Sequence, residues 1–317
     1  PSIIVEGEKH NRKFGRPGPG NQSHRGRRPA RFGPPLQIYN GRNLCYTGRI
    51  MSNYIVFDLE WNQSAAGKET SLDHLPFEIF EIGAVKLNEK MEQVSQFHRL
   101  VRPCVYRQLH YIISEVTHVS MDELDRDGRP FKEVMEEFME WCGEAPVFCT
   151  WGSMDLTELQ RNMAYYGMEA PFPFPLFYYD VQKLYGLFTA EGARLSLDAA
   201  VEQEGLLEKR PFHRALDDAY YTGRVLACLV EKTGAEALLP FQSVDYYRLP
   251  GNKKEEIQVT FPGYSKYVSR VFESREDAMK DRGVTSTKCY LCGKSLRKKI
   301  RWFTANQKMY FSLAVCP

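Results

Sequence analysis

The segment YIVFDLEWNQ, residues 54–63, constrains the fold of this chain more than any other. Four residues suited to a buried strand lead directly into Asp58, and Glu60 follows two positions later. On a strand, residues i and i+2 point to the same face, so both carboxylates leave the strand together. An arbitrary D-x-E pair usually lies exposed on an edge strand, but the apolar run predicts a central strand here. Buried carboxylates cost free energy unless something compensates their charge.

Divalent metal ions are the compensation that this pair favours, because Mg²⁺ and Mn²⁺ prefer carboxylate and water ligands. Further carboxylates must then come from elsewhere in the chain. Asp155 follows a predicted strand at 146–150 and lies in the first turn of the next helix, near the end of that strand. Asp155 could instead serve only the helix dipole, and Glu158, one turn further on, is an alternative carboxylate.

The segment PFHRALDDAYYTGRVLACLV, residues 211–230, supplies the remaining groups. Asp218 aligns with the apolar face of the predicted helix, whereas Asp217 aligns with a wetter face. Asp218 is therefore the better candidate for a buried metal ligand. His213 stands at the helix entrance, where a histidine is usually structural; beside this aspartate it is a candidate general base.

Taken together, these motifs resemble the DEDDh 3′–5′ exonucleases, which have the ribonuclease H-like fold. The resemblance covers roughly residues 51–232, includes FEIGAV at 80–85, and is strongest to the KapD/Eri1-like branch, which is often linked to RNA. One departure is Thr117-His118-Val119, where related enzymes often have a Thr-Gly-Ile-like turn. The residues that carry the resemblance are Asp58-x-Glu60, Trp151-Gly152-x-x-Asp155 and His213-x4-Asp218.

The resemblance implies a metal-dependent 3′–5′ exonuclease that releases nucleoside 5′-monophosphates from single-stranded 3′ ends of nucleic acid, with RNA favoured over DNA. It implies two Mg²⁺ or Mn²⁺ ions, with Asp58 bridging them and His213 taking the proton from the attacking water. The implied metal ligands are Asp58, Glu60, Asp155 and Asp218.

Side chains around the first motif are predicted to contact the terminal nucleotide by stacking and hydrogen bonding. These residues are Leu59, Trp61, Asn62 and Gln63. Trp61 could equally be a core residue.

Two alternatives to an enzyme stay open. One is a regulatory or nucleic-acid-binding protein that uses an exonuclease-like fold without essential catalysis. The other is a nucleic-acid-binding module led by the C-terminal segment, with a vestigial core. The intact set of five catalytic candidates favours the enzyme, because a binding-only relative would tolerate the loss of one or more of them.

The hydrophobic pattern predicts an α/β fold with a ribonuclease H-like, five-stranded mixed sheet flanked by helices. The first three strands form an antiparallel meander. The predicted strands are 54–59, 79–87, 94–101, 146–150 and 177–181, and the main predicted helices are 131–142, 153–166, 181–187, 196–204 and 215–232.

Composition divides the chain into three parts. Residues 1–50 hold 10 Lys/Arg and 2 Asp/Glu and are predicted to be a disordered basic segment, either upstream read-through before Met51 or a nucleic-acid-binding arm. Residues 51–250, the predicted exonuclease domain, hold 18 basic and 32 acidic residues. Residues 251–317 hold 14 basic and 6 acidic residues, a balance that suits an anion-binding appendage.

The segment 251–317 is predicted to be a zinc-ribbon-like unit with a structural Zn²⁺. Cys289 and Cys292 form a C-x2-C knuckle, and Cys316 is a third thiol, so a fourth ligand is expected beyond the last residue. Unligated, reduced cysteines in a hairpin are the alternative. Basic and aromatic residues interleave between the thiols, which favours a nucleic-acid contact surface over a merely solubilising hairpin. The aromatic residues are Trp302, Phe303, Tyr310 and Phe311.

The remaining sequence features bear on the compartment. The chain holds no run of about 18 or more apolar residues and no secretory signal pattern, so no membrane span is expected. Its other cysteines are scattered without the spacing of a disulfide framework. Both features predict a cytoplasmic protein.

Overall fold

A computed structural model describes residues 2–7, 37–39, 43–45, 53–67, 70–169, 171–189, 192–261, 264–289, 291–304 and 309–317. The chain divides into two compact units, one formed by residues 51–248 and the other by residues 1–50 together with 249–317. The sequence instead predicts a boundary near 250 and a separate N-terminal segment.

Strands and helices alternate along the unit of residues 51–248, whereas the smaller unit, formed by both ends of the chain, consists mainly of strands. The strands are β1 (Ser2–Gly7), β2 (Gln37–Tyr39), β3 (Asn43–Cys45), β4 (Tyr54–Asn62), β5 (Glu78–Leu87), β6 (Gln93–Leu100), β7 (Val147–Thr150), β8 (Phe177–Asp180), β9 (Ser243–Val244), β10 (Ile257–Phe261), β11 (Tyr264–Val268), β12 (Arg297–Thr304) and β13 (Met309–Val315). The helices are α1 (Tyr111–Thr117), α2 (Met121–Asp127), α3 (Phe131–Cys142), α4 (Met154–Tyr165), α5 (Val181–Phe188), α6 (Leu197–Gln203), α7 (Ala215–Thr233), α8 (Ala235–Leu238), α9 (Arg275–Lys280) and α10 (Arg282–Thr285).

The unit of residues 51–248 is built on a six-stranded mixed sheet in the order β6-β5-β4-β7-β8-β9. Strands β4, β5 and β6 pair antiparallel, whereas β4, β7 and β8 pair parallel. The predicted five-stranded mixed sheet and its meander are therefore confirmed. A sixth strand, β9, adds antiparallel to β8. It is only two residues long, so it left no hydrophobic pattern to detect.

Helices cover both faces of this sheet, which is why its central strands read as nearly continuous apolar runs. On one face, Phe57 packs edge-on against Phe138 of α3, with ring centroids 6.0 Å apart. On the other face, Val56 and Val85 belong to a cluster with residues of α5 and α7. Strand β4 lies in the interior of the sheet and not at its edge, as the apolar run predicted.

The second unit contains a seven-stranded sheet in the order β12-β13-β1-β11-β10-β3-β2. The backbone of β1 pairs antiparallel with β11 and parallel with β13. The structure thus assigns strands within residues 1–50, where composition predicts disorder, because partner strands come from the distant C-terminal segment. Met51 and the rest of residues 1–50, apart from 2–7, 37–39 and 43–45, lie outside the described residues.

Among the described residues, no helix is both long enough and apolar enough to cross a bilayer.

Candidate active site

The C-terminal half of β4 runs past the end of its parallel neighbour. The two strands pair only from Tyr54 to Val56 of β4, so Asp58 and Glu60 extend beyond β7. Both are partly buried and alternate with Leu59, whose side chain is 3% exposed and belongs to the core cluster. The carboxylates therefore project together from the sheet at a point where its neighbouring strand has ended.

The first turn of α4 lies beside the part of β4 that extends beyond β7. Asp155 lies there, 5% exposed, and its Oδ1 accepts a hydrogen bond of 3.3 Å from the backbone N–H of Leu59. The carboxylate thereby satisfies a strand amide that β7 does not reach. Glu158, the alternative carboxylate, is 1% exposed and forms an ion pair with Arg161.

The first turn of α7 brings Asp218 to the same face of the sheet. Asp58 pairs with Gly83 across β4 and β5, and a Cβ at Gly83 would stand 2.0 Å from the backbone nitrogen of Leu216. Glycine at this position therefore lets α7 rest directly on the sheet, next to Asp58. The neighbouring Asp217 turns away and pairs with Arg210 at 2.8 Å.

The resulting acidic cluster has the geometry of a cation site. Carboxylate oxygens of Asp58, Glu60 and Asp218 lie within 4.8 Å of one another. Asp218 Oδ2 accepts a hydrogen bond of 3.1 Å from the N–H of His213, while Asp218 Oδ1 is buried without a hydrogen-bond partner. A buried, unpartnered carboxylate oxygen beside two further carboxylates fits a hard divalent ion.

Burial and mutual repulsion make these carboxylates reluctant to ionise. Burial, followed by the charges of Asp155, Asp218 and Glu60, raises the pKa of Asp58 well above its usual range. Burial raises the pKa of Glu60 to about 8, with added repulsion from Asp218 and Glu81. Burial also raises the pKa of Asp155 and of Asp218 to about 7. A bound cation would remove this penalty.

A fifth acidic residue, Glu81, adjoins the cluster and is not among the site residues that the sequence predicts. It pairs with Glu60 across β4 and β5 and is fully buried. Its carboxylate binds Arg214 Nε at 3.1 Å and His98 Nε2 at 2.7 Å. This ion pair holds Arg214, the neighbour of His213 in the chain, against the sheet. The only signal in the sequence was a glutamate inside an otherwise apolar strand.

His213 occupies a strained turn at the entrance of α7. Its φ of +66° lies in the left-handed region, which costs a residue other than glycine roughly 1–2 kcal/mol. The hydrogen bond from its N–H to Asp218 and the ion pair of Arg214 hold this conformation. His213 itself is exposed.

The four residues predicted to contact the terminal nucleotide separate into two kinds. Asn62 is fully buried; its Nδ2 donates to the carbonyls of Tyr106 and Gln108, and its Oδ1 accepts from the N–H of His110. It fastens a loop, so the predicted nucleotide contact is corrected, as it is for the buried side chain of Leu59. The other two are partly exposed: Trp61, whose ring lies 5.7 Å from that of Phe77, and Gln63.

The C-terminal cysteines also converge. The sulfur atoms of Cys289, Cys292 and Cys316 lie within 4.8 Å of one another, and those of Cys292 and Cys316 are 3.5 Å apart. Burial opposes ionisation of Cys289, but hydrogen bonds from the backbone N–H groups of Cys292 and Leu291 outweigh it, and its pKa is lowered. Three thiols with one favoured as thiolate fit three of the usual four positions around Zn²⁺.

Comparisons with known proteins agree on the first unit. A family model described as Exonuclease, RNase_T, matches residues 55–226. The probable 3′–5′ exonuclease KapD of Bacillus subtilis (strain 168) is 29% identical over 182 residues, which cover 57% of this chain and 85% of KapD. The PolC-type DNA polymerase III of Thermotoga petrophila is 30% identical over 196 residues, which cover 60% of this chain but only 13% of the polymerase.

Among solved structures, the cell-death related nuclease CRN-4 superposes with a TM-score of 0.50. The match covers 61% of this chain and 66% of CRN-4, at 19% sequence identity. At that identity the likeness shows a common fold.

Proposed function

Because the chain belongs to the RNase_T family of exonucleases, we propose that it is a 3′–5′ exonuclease of the DEDDh type. It hydrolyses phosphodiester bonds from single-stranded 3′ ends and releases nucleoside 5′-monophosphates, with RNA preferred over DNA as the resemblance implies. The observation that carries the proposal is the convergence of Asp58, Glu60 and Asp218 within 4.8 Å around an unpartnered buried oxygen.

We propose that Asp58, Glu60, Asp155 and Asp218 hold two Mg²⁺ or Mn²⁺ ions. Family membership supports the use of divalent metal, and the raised pKa values of the cluster support a need for positive charge. When bound, such ions supply a nucleophilic water and stabilise the leaving oxygen. Asp155 also holds the backbone of β4, and the N–H of His213 orients Asp218.

His213 is proposed as the general base that takes the proton from the attacking water. Its exposed ring stands on a turn whose backbone is bonded to Asp218, so base and metal ligand are fixed relative to each other. Trp61 and Gln63, which follow the metal-binding carboxylates on the chain and are partly exposed, are retained as contacts to the terminal nucleotide.

The proposal is tested by incubating the purified protein with single-stranded RNA and DNA labelled at the 5′ end, in Mg²⁺, Mn²⁺ or EDTA. We expect stepwise shortening from the 3′ end in either metal, faster on RNA, and no shortening in EDTA. Chromatography should identify nucleoside 5′-monophosphates as the products. Cleavage that yields internal fragments first, or that persists in EDTA, would contradict the proposal.

The metal-free protein is expected to lose stability as the pH rises from about 5 to about 8. Glu60 has a pKa of about 8, and Asp155 and Asp218 of about 7, in the folded chain, against about 4 when unfolded. The folded state therefore holds more protons over this range, and its stability falls as they leave. Thermal melting in EDTA should show Tm falling by about 5 °C or more. Saturating Mn²⁺ should abolish the fall; a Tm in EDTA that rises with pH would refute the coupling.

We further propose that Cys289, Cys292 and Cys316 bind one structural Zn²⁺ with a fourth ligand. The described cysteines are all free thiols, which suits a reducing, cytoplasmic location. Metal analysis after purification should give about one zinc per chain, and Cys292→Ser should reduce it several-fold. Cys228→Ser, which alters a half-buried thiol in α7, is the matched control. Equal zinc content in all three proteins would exclude this site.

A further inference from the structure

The hairpin of β12 and β13 has one face on the core of its unit and one face exposed. Trp302 and Tyr310 pack against a small cluster built on Ala278 and Val284. Both are half-buried, so this packing takes up much of the two side chains that were predicted to lie on a contact surface. The exposed face carries the cross-strand pairs Phe303 with Phe311 and Ile300 with Leu313, in which Phe303 and Ile300 are exposed and their two partners are half-buried.

An aromatic pair dominates that exposed face. The rings of Phe303 and Phe311 stack with centroids 5.6 Å apart and an interplanar angle of 29°. Phe303 is 52% exposed and Ile300 is 48% exposed. Large apolar side chains clustered at a surface usually mark an interaction site. The flat faces of two stacked rings offer a platform on which a further planar group can stack.

Cations line the same strand. Arg297, Lys299 and Arg301 occupy alternate positions of β12, and all three are exposed. Within the described part of the chain, no carboxylate forms an ion pair with any of them. The surface thus combines stacking area with unneutralised positive charge, in a segment, residues 251–317, that has 14 basic and 6 acidic residues.

Single-stranded nucleic acid is the occupant whose chemistry matches both properties. Its phosphates need cations, and its unpaired bases need flat apolar surfaces on which to stack. A purely apolar partner would leave the arginines and lysine unused, and a double helix would not expose its bases to the phenylalanine pair.

We propose that the exposed face of the β12–β13 hairpin binds single-stranded nucleic acid, with a base stacked on Phe303 and Phe311 and phosphates on Arg297, Lys299 and Arg301. This surface is distinct from the acidic cluster and lies in the other unit. The proposal rests on the proposed function, because it takes the same class of substrate.

Binding is measured on the full chain without added Mg²⁺ or Mn²⁺ and without a chelator, so that cutting lacks its metal while the proposed Zn²⁺ stays bound, with fluorescent single-stranded RNA and DNA of about 20 nucleotides. Phe303→Ala is expected to raise Kd by about 5-fold or more, because base stacking is lost. Phe303→Tyr, which keeps the ring, should restore most of the affinity. Arg301→Gln should reduce the slope of log Kd against log salt by about 0.7.

Matched controls lie elsewhere in the same unit. Val271→Ala changes a side chain that is 48% exposed, and Lys253→Gln removes an exposed charge. Both should keep the wild-type Kd and salt slope. If Phe303→Ala also keeps them, or changes the oligomeric state alone, the surface does not bind nucleic acid.

The assay separates this proposal from the proposed function. Binding that depends on Phe303 without added Mg²⁺ or Mn²⁺, together with no hydrolysis in Mn²⁺, would support the surface and refute the exonuclease. Hydrolysis in Mn²⁺ together with a Kd that is the same for Phe303→Ala and wild type would support the exonuclease and refute the binding surface.

Discussion

Replacing Asp58 with Asn should lower the rate of 3′-end hydrolysis by at least about 1,000-fold, and should make the metal-free protein more stable at pH 8. Asn has nearly the same shape but no negative charge. Metal-supported catalysis is worth several kcal/mol, and each 1.4 kcal/mol is about tenfold in rate. In the metal-free state the lost charge no longer repels Asp155, Asp218 and Glu60, whose proximity raises the pKa of Asp58.

Two measurements check this pair of effects. Release of mononucleotides reports the rate, and melting in EDTA and in Mn²⁺ reports stability. Wild-type protein should gain Tm from Mn²⁺ at pH 8, whereas the variant should start higher and gain little. Asp122→Asn, which alters an exposed carboxylate in the first turn of α2, outside the cluster, is the control and should behave like wild type. An Asp58→Asn protein that hydrolyses at the wild-type rate would refute the metal-binding role.

The main features of the first unit were predictable because each leaves a local pattern. Four apolar residues before Asp58 indicated an interior strand, and the i, i+2 spacing fixed both carboxylates to one face. The 3.6-residue period of α7 separated Asp218 from Asp217, and in the structure the two diverge as expected. Such patterns operate within one element, so the sequence displays them directly.

Features that depend on pairing between distant residues left no such pattern. Glu81 meets Arg214 across 133 positions, and only the fold shows that the two compensate each other. Asn62 stands beside the acidic motif and resembles a ligand contact, yet its amide is used by a loop more than 40 residues away. A polar residue at the end of a strand serves either purpose, and the sequence cannot tell which.

The C-terminal hairpin shows a third kind of difficulty. Strict alternation along β12 would place every second residue on one face, but register shifts interrupt the pairing between Lys298 and Ile300 and between Ile300 and Phe303. These irregularities decide that Trp302 packs on the core while Phe303 pairs with Phe311 on the exposed face. The sequence shows that this segment is rich in aromatic residues, but the irregular backbone determines which face of the hairpin each of them occupies.

Replacing His213 with Ala should lower kcat at neutral pH by about 100- to 10,000-fold, the usual contribution of a positioned general base. Metal binding should persist, because the imidazole is not among the clustered carboxylate ligands and the N–H that holds Asp218 belongs to the backbone. The check is kcat together with the rise of Tm in Mn²⁺. A large loss of rate with an unchanged rise in Tm distinguishes a base from a metal ligand.

The alanine variant alone would not distinguish loss of the imidazole from a disturbance of the turn at residue 213. The φ of +66° at His213 is unfavourable for alanine, whereas asparagine tolerates the left-handed region. His213→Asn therefore keeps the turn, the bond to Asp218 and a side chain of moderate size, and removes only the basic nitrogen. If the imidazole acts as the base, both variants are slow to a similar degree. If only the alanine variant is slow, the histidine shapes the turn, and the proton from the attacking water goes to another acceptor.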